Sequence, residues 1–155
     1  MTEKPEDPWR LRGVRVVRAG ELDANTAQTP GMDRRAAITQ GRAGANQLWA
    51  GTVSIQPNAR TGAHHHGAVE SVIYVVRGVA RMRWGNALEY TAEAGAGDFI
   101  YVPPWVPHQE INAADAELSC VLVRSGQDNV VVNLDLPGIV DAPEWVRWID
   151  DLHRG

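Results

Sequence analysis

The sequence predicts an all-β domain in which many short strands form a sandwich or a barrel. From residue 48 onward, short runs rich in β-branched and aromatic residues follow one another, and turn-forming segments with Gly, Pro, Asn or Asp separate them. Their recurrence at a spacing of about 8–12 residues is typical of such folds. The 155 residues are enough for one domain with a substantial core.

In chain order, residues 1–12 are predicted to be a disordered lead, because residues 1–9 combine two prolines with four charges. A single barrel domain is predicted over residues 13–140. Its first part holds weak strand patterns at 14–18 and 35–39, with a loop at 19–32 between them. The regular strands are predicted at 48–55, 72–76, 80–84, 88–91, 99–102, 108–111, 118–124 and 130–134.

The last segment, residues 141–155, is predicted to be a short C-terminal helix. Asp141 can cap it, and Glu144 follows three residues later, as in a capping box. The apolar residues that then share one helical face are Trp145, Trp148, Ile149 and Leu152. We expect this face to pack on the outside of the barrel, with contact to a second subunit as the alternative.

Composition excludes several classes of function. The formal net charge of −4 argues against a nucleic-acid-binding surface. Cys120 is the one cysteine, which excludes a cysteine-rich zinc site or an iron–sulfur cluster and suits a small core residue. Lys4 is the one lysine, and it lies in the predicted lead, so a Schiff-base enzyme is not expected. Because neither an apolar span nor a signal peptide is visible, we expect a cytoplasmic protein without membrane partners.

Two segments that contain histidine indicate the chemistry of the protein most clearly. In the first, His64 and His66 flank His65, so an extended backbone turns their rings to one face and that of His65 away. Two imidazoles on one face suit a divalent metal. In the second, prolines stiffen the chain before His108, which lowers the entropy lost in holding that ring in place.

Together these segments resemble the two motifs of the cupin superfamily. The first motif has Gly, five residues, His-x-His, three or four residues, Glu, six residues and Gly; here Asn58 stands at the first Gly, and seven residues precede Gly78. Asn tolerates a positive φ better than most residues. The second has Gly, five residues, Pro-x-Gly, two residues, His, three residues and Asn; here it runs from Gly97 to Asn112, with Trp105 at the glycine position. The resemblance covers residues 58–112 and implies a double-stranded β-helix, or jelly-roll barrel.

The resemblance also implies one divalent transition metal per chain, either Fe, Mn, Ni, Co or Zn, with the ligands His64, His66, Glu70 and His108. Counting back from Gly78 instead assigns the fourth position to Ser71. We expect Glu70, because serine is a poor ligand for a divalent cation and an unpaired buried carboxylate is costly. With Ser71 there, the site has three histidines and more open coordination.

The remaining predicted site residues surround this centre. Glu70 and Glu110 are the candidates for proton transfer. Arg81 and Arg83 share one strand face and, if that face is inward, are placed to bind an anion. The predicted walls of the substrate pocket are Trp49, Tyr74, Arg81, Arg83, Tyr101 and Trp105.

The resemblance favours a metal-dependent oxidoreductase of the dioxygenase kind that acts on a small organic molecule. An isomerase or lyase of a sugar or keto acid, with the metal as a Lewis acid, is the first alternative. A ligand-binding or sensing cupin without turnover is the second. The resemblance also implies a homodimer, with the first strand or the Trp145/Trp148 face as the contact.

Overall fold

A computed structural model describes residues 7–127, 130–136 and 146–149 of the chain. Strands dominate these residues, and the helices are short. The helical segments are α1 (Pro8–Arg12), a 3₁₀ turn (Ala19–Glu21) and α2 (Gln40–Ala43). The strands are β1 (Met32–Ile38), β2 (Trp49–Ile55), β3 (His64–His65), β4 (Ser71–Arg77), β5 (Ala80–Trp84), β6 (Tyr90–Ala94), β7 (Phe99–Val102), β8 (His108–Ile111), β9 (Leu118–Arg124), β10 (Val132–Asn133) and β11 (Arg147–Trp148).

The strands form two sheets, which confirms the predicted all-β jelly-roll architecture. One sheet has the order β1-β2-β9-β4-β7, and the other has the order β10-β3-β8-β5-β6-β11. The chain crosses between the two sheets at most of its connections from β2 to β10, so that β3 and β8, which carry histidines, become adjacent although some forty residues separate them. The parallel pair of β6 with β11 is the exception in an otherwise antiparallel set of described pairs.

Alternating burial along the strands creates the core between the two sheets. In β9 every second residue is buried, from Leu118 to Arg124, as expected when one strand face is covered. Val75 and Leu118 are almost completely buried within this core, and Cys120 also belongs to it, as predicted. The inward side chains thus supply both the core and the wall of the site described below.

The structure confirms the bounds predicted for β5, β7, β8 and β9 without change. Strong alternation with clear turns on both sides explains this agreement. The strand expected at residues 14–18 is wrong, because the described chain there has no ladder partner. Residues 35–38 of the weak pattern at 35–39 belong to a longer strand, β1, which starts at Met32, while Thr39 caps α2.

The predicted disordered lead is wrong for its last residues, which form helix α1. Asp7 caps this helix by accepting a hydrogen bond from the Trp9 amide at 3.0 Å, and Pro8 occupies the first turn. Both features favour a helix start. All its side chains are exposed, and residues 1–6 lie outside the described part.

The predicted C-terminal helix over residues 141–155 is wrong at Arg147 and Trp148, which form strand β11. Arg147 donates its amide to the Glu89 carbonyl, and Ile149 donates to the Thr91 carbonyl. The open edge of β6 therefore satisfies backbone groups that a helix would have satisfied internally. Residues 141–145 and 150–155, with the proposed cap and Trp145, lie outside the described residues.

Candidate metal centre

Three histidine side chains meet on the inner face of the second sheet. His64 and His108 are direct partners across β3 and β8, and His66 follows immediately after β3. The ring centroids are 4.3 Å apart for His64 and His108, 4.8 Å for His64 and His66, and 5.2 Å for His66 and His108. The structure therefore brings together the three histidines that the sequence predicts.

Each of these rings is held by a backbone carbonyl at Nδ1. The distances are 2.8 Å from His64 to Gly62 O, 2.7 Å from His66 to Val130 O and 3.0 Å from His108 to Val106 O. A carbonyl only accepts hydrogen bonds, so Nδ1 is the protonated nitrogen in all three rings. This tautomer leaves the lone pair on Nε2, the arrangement by which proteins orient metal-binding histidines.

The electrostatics of the site also suit a cation. Burial lowers the pKa of His66 to about 4, and burial followed by the nearby His108 lowers the pKa of His64. These two rings are therefore neutral at pH 7, as ligands must be. His108 Nε2 is buried and has no hydrogen-bond partner among the described residues.

The donor set fits a divalent transition metal. One ligand nitrogen from each ring lies within 4.8 Å of the others. Two ligands of one ion, each at about 2.1 Å, lie at most about 4.2 Å apart, so inward movements of a few tenths of an ångström complete the site. Three imidazoles suit Fe, Mn, Co, Ni or Zn, and they leave open positions on an octahedral ion.

Glu70, which we expected as the fourth ligand, lies outside this cluster. Its side chain is exposed, and one carboxylate oxygen accepts a hydrogen bond from the Tyr101 hydroxyl at 2.6 Å. Ser71 instead lines the cavity beside the histidines, and its buried Oγ has no hydrogen-bond partner in the described part of the chain. Glu70 therefore does not lie with the three histidines, and Ser71 takes the inward-facing position beside them.

A turn after the histidines explains this shift. The Val69 amide donates to the His66 carbonyl, and Gly67 has a φ of +60°, so the chain is not extended between His66 and Glu70. His66 and Glu70 therefore do not share one face of an extended strand. Strand β4 then begins at Ser71, which points inward together with Ile73 and Val75.

The histidines line a cavity of about 590 Å³ between the sheets. Trp49 and Glu110, both predicted as site residues, also line it. Glu110 follows His108 by two residues on β8 and therefore shares its face. The lining also includes the apolar side chains of Val53, Ile55, Ile73, Met82, Val102, Leu118 and Leu122.

The other predicted pocket residues lie outside the cavity. Tyr74 alternates with inward-facing Ile73 and packs on Phe99, with ring centroids 4.8 Å apart. Tyr101 and Trp105 are 56% and 63% exposed, and the Trp105 ring lies 5.6 Å from that of His65. The prediction that these aromatic residues form the pocket wall is wrong because they occupy the outer faces of their strands and turns.

The two arginines of β5 also lie away from the pocket wall where they were predicted. Ala80 and Met82 face the cavity, so Arg81 and Arg83 lie on the opposite face. Arg81 forms an ion pair with Glu93 at 2.9 Å, and Arg83 Nε donates to the Leu88 carbonyl at 3.1 Å. Neither can therefore reach an anion in the barrel.

Two other arginines, which the sequence analysis missed, do line the cavity. Arg34 lies on β1, and Arg124 lies at the end of β9. The inward parity of Arg34 with Met32 and Ala36, and of Arg124 with Leu122, was the available signal. Burial lowers the pKa of Arg124, the nearby Arg34 lowers it further, and the Glu110 carboxylate opposes both.

Departures from the cupin motifs occur where the backbone needs a positive φ. Asn58 has a φ of +64°, and Trp105 has a φ of +66°. Glycine adopts this conformation most easily, and Asn tolerates it. Asn112, the last motif position, is fully buried, and its Nδ2 donates to the Ile55 and Ala116 carbonyls. Asn112 therefore links the end of β2 to the segment that precedes β9 through these two hydrogen bonds.

Comparisons with known proteins agree with this fold. A family model described as "Cupin domain" matches residues 51–124, which contain the three histidines. The chain is similar to the polyketide cyclase RemF from Streptomyces resistomycificus, at 23% identity and a TM-score of 0.67, over 81% of this chain and 89% of that chain. Residues 51–124 are therefore similar to a cupin domain, and the fold over most of the chain is similar to that of RemF.

Two oxalate enzymes share the same fold. A mutant of the oxalate decarboxylase OxdC from Bacillus subtilis matches at 22% identity and a TM-score of 0.60, over 70% of this chain and 29% of that chain. A recombinant oxalate oxidase in complex with glycolate matches at 19% identity and a TM-score of 0.59, over 72% of this chain and 59% of that chain. The chain thus spans less than two thirds of either enzyme. No curated protein sequence matches it.

Over the described residues, no helix is long and apolar enough to cross a membrane.

Proposed function

We propose that this protein is a metal-dependent oxidoreductase of the dioxygenase kind, which acts on a small organic molecule bound in the barrel. The observation that supports it most is the orientation of His64, His66 and His108. All three have Nδ1 held by a carbonyl, and their rings meet on the wall of one cavity. Three imidazoles oriented in this way suit a bound metal.

A divalent transition metal bound there supplies open coordination positions at which dioxygen and an organic substrate can meet. Dioxygen is the oxidant of such a reaction, and both of its atoms enter the organic product, so no further electron donor is needed. The chain itself binds and orients the substrate. The apolar side chains around the cavity, such as Ile73, Met82 and Leu122, exclude water from the reacting molecule.

Glu110 is proposed as the group that moves a proton. Its strand places it two residues from His108 and on the wall of the cavity, where a substrate beside the histidines comes within its reach. Cys120 lines the same space, but burial, with the nearby Glu110, raises the pKa of its thiol to about 12. Cys120 therefore remains a neutral thiol and is not a competing nucleophile.

The second candidate is an isomerase or lyase, and Glu110 is the observation that favours it. Glu110 would remove a proton from the carbon beside a substrate carbonyl and return it elsewhere, and a metal held by the three histidines would polarise that carbonyl. Such a reaction requires neither dioxygen nor an electron donor. Oxygen dependence therefore separates the two candidates directly.

The test begins with the metal. Untagged protein is reconstituted anaerobically with Fe(II), and its metal content is compared with that of His64→Ala/His66→Ala and of His65→Ala. We expect about one ion per chain in the wild type and in the His65 variant, because the His65 ring faces Gly67 and Trp105, and loss in the double variant. Oxygen consumption is then measured with a panel of small hydroxy and keto acids.

Consumption of oxygen that requires both metal and an organic acid supports the proposal. Turnover without oxygen supports the isomerase or lyase. Saturable binding without any turnover supports a sensing cupin. A chain that binds no metal after reconstitution contradicts all the metal-dependent alternatives.

We propose as well that two copies of the chain associate. The edge strand β7 exposes Phe99 at 72% and Tyr101 at 56%, and Val72 lies beside Tyr101 on the same outer face. Exposed aromatic side chains along an open edge favour pairing with a second copy. Sedimentation at micromolar concentration tests this proposal: a dimer is expected, and a monomer overturns it.

A further inference from the structure

The charges that line the cavity are balanced before any metal binds. Among the described lining residues, the charged side chains are Asp23, Arg34, Glu110 and Arg124. The two arginines and the two carboxylates cancel. Because the three imidazoles bind as neutral ligands, a divalent ion adds its whole charge to this interior.

Ser71 leaves that added charge without the carboxylate ligand that would partly neutralise it. It occupies the position where the motif has a carboxylate, and its hydroxyl is neutral. A buried excess of positive charge is costly unless an anion accompanies it. The centre therefore favours a ligand that brings negative charge of its own.

Arg124 is placed to receive such a ligand. In the strand register it is the direct neighbour of Ser71 on one side and of Trp49 on the other. It is 8% exposed, and its guanidinium lies 4.5 Å from the centre of the Trp49 ring. This contact holds the guanidinium against the Trp49 ring, and the planar set of N–H donors of an arginine suits a carboxylate.

We propose that the cavity selects a small organic carboxylate, with Arg124 binding the carboxylate from the β4–β9 side while the ligand reaches the histidine centre. Arg34 adds positive charge from β1. This inference rests on the metal centre of the proposed function and specifies its substrate class. Neutral sugars and hydrocarbons lack the charge that the loaded site needs.

The test uses Co(II)-loaded holoprotein, because the visible absorption of Co(II) reports ligand binding without turnover. Glycolate is titrated against glycolamide, which has similar size and no charge. We expect glycolate to bind at least about tenfold more tightly, because charge-assisted hydrogen bonds are the stronger ones. Equal affinities for the two probes overturn the proposal.

Single substitutions test which residues cause the preference for glycolate over glycolamide. Arg124→Gln is expected to weaken the binding of glycolate at least about tenfold and to leave the binding of glycolamide unchanged. The affinity of Arg124→Lys for glycolate should lie between those of the wild type and Arg124→Gln. Ser71→Asp is expected to weaken glycolate as well, because it supplies the missing charge, and it tests the idea independently if Arg124→Gln fails to fold. The matched control is Arg81→Gln, an arginine of the outer face paired with Glu93.

Unchanged glycolate affinity in folded Arg124→Gln, as expected if Arg124 serves only to neutralise Glu110, overturns the proposal. Unchanged affinity in Ser71→Asp also contradicts it. If the wild-type chain binds no Co(II), the metal centre fails and the inference fails with it. If Co(II) binds but does not distinguish glycolate from glycolamide, the inference fails alone.

Discussion

Ser71 and Arg124 lie directly opposite each other in the register of β4 and β9, and both side chains face the cavity. A neutral hydroxyl thus stands beside the histidine cluster where the cupin motif has a carboxylate, and a guanidinium stands next to it. This relationship makes the centre more open and more positive than a three-histidine, one-carboxylate site. It is the local feature on which ligand choice depends.

The first prediction concerns Glu70. Glu70→Gln should leave metal content unchanged, because the carboxylate is exposed and accepts its hydrogen bond from Tyr101 rather than facing the histidines. The expected loss of stability is below about 1 kcal/mol, as for most exposed pairs. Elemental analysis and denaturant unfolding measure both quantities. Loss of the metal would restore Glu70 as a ligand.

Much of the fold and half of the site could be predicted from sequence. The three histidines follow from strand parity and a Pro-rich approach, which are local features. Ser71 could not be separated from Glu70, because the turn at Gly67 depends on a positive φ that spacing alone does not reveal. Arg34 and Arg124 reach the cavity through strand order, which joins β1 and β9 to β2 across distant parts of the chain.

The second prediction concerns Asn112. Asn112→Ala should lower the free energy of unfolding by about 2–4 kcal/mol, because it removes a fully buried donor that serves the Ile55 carbonyl in the interior and the Ala116 carbonyl. Metal content per folded chain should not change, since Asn112 is not among the clustered histidines and its side chain bonds to backbone groups. Chemical denaturation together with elemental analysis tests both statements. A fully stable variant would refute this structural role.

The third prediction concerns pH. Burial lowers the pKa of His66 to about 4 in the folded chain, against about 6.5 when unfolded. Between these values the unfolded chain binds more protons, so the stability of the metal-free protein should fall as pH decreases from about 6.5 to about 4. It should be nearly constant, as far as His66 is concerned, above about pH 7.

Denaturant unfolding of metal-free protein across this pH range measures the effect. His66→Gln should flatten the dependence, because no titrating ring remains at that position. His65→Gln is the matched control and should retain the wild-type slope, since the His65 ring lies outside the cluster. An unaltered slope in His66→Gln would show that other groups control acid stability.

The fourth prediction concerns the proton-transferring group. Glu110→Gln should preserve metal binding, because Glu110 is outside the ligand cluster, and should lower turnover at least about a hundredfold if the carboxylate moves a proton. Substrate turnover by the metal-loaded variant, compared with that of Glu70→Gln, measures the effect. Equal activities of the two variants would remove Glu110 from the mechanism.

The central claim is that His64, His66 and His108 form a metal site. The most direct measurement is elemental analysis of untagged wild type after metal reconstitution, beside His64→Ala/His66→Ala and His65→Ala. The account predicts about one transition metal ion per chain in the wild type and in His65→Ala, and none in the double variant. Equal metal content in all three proteins, or none in the wild type, would contradict it.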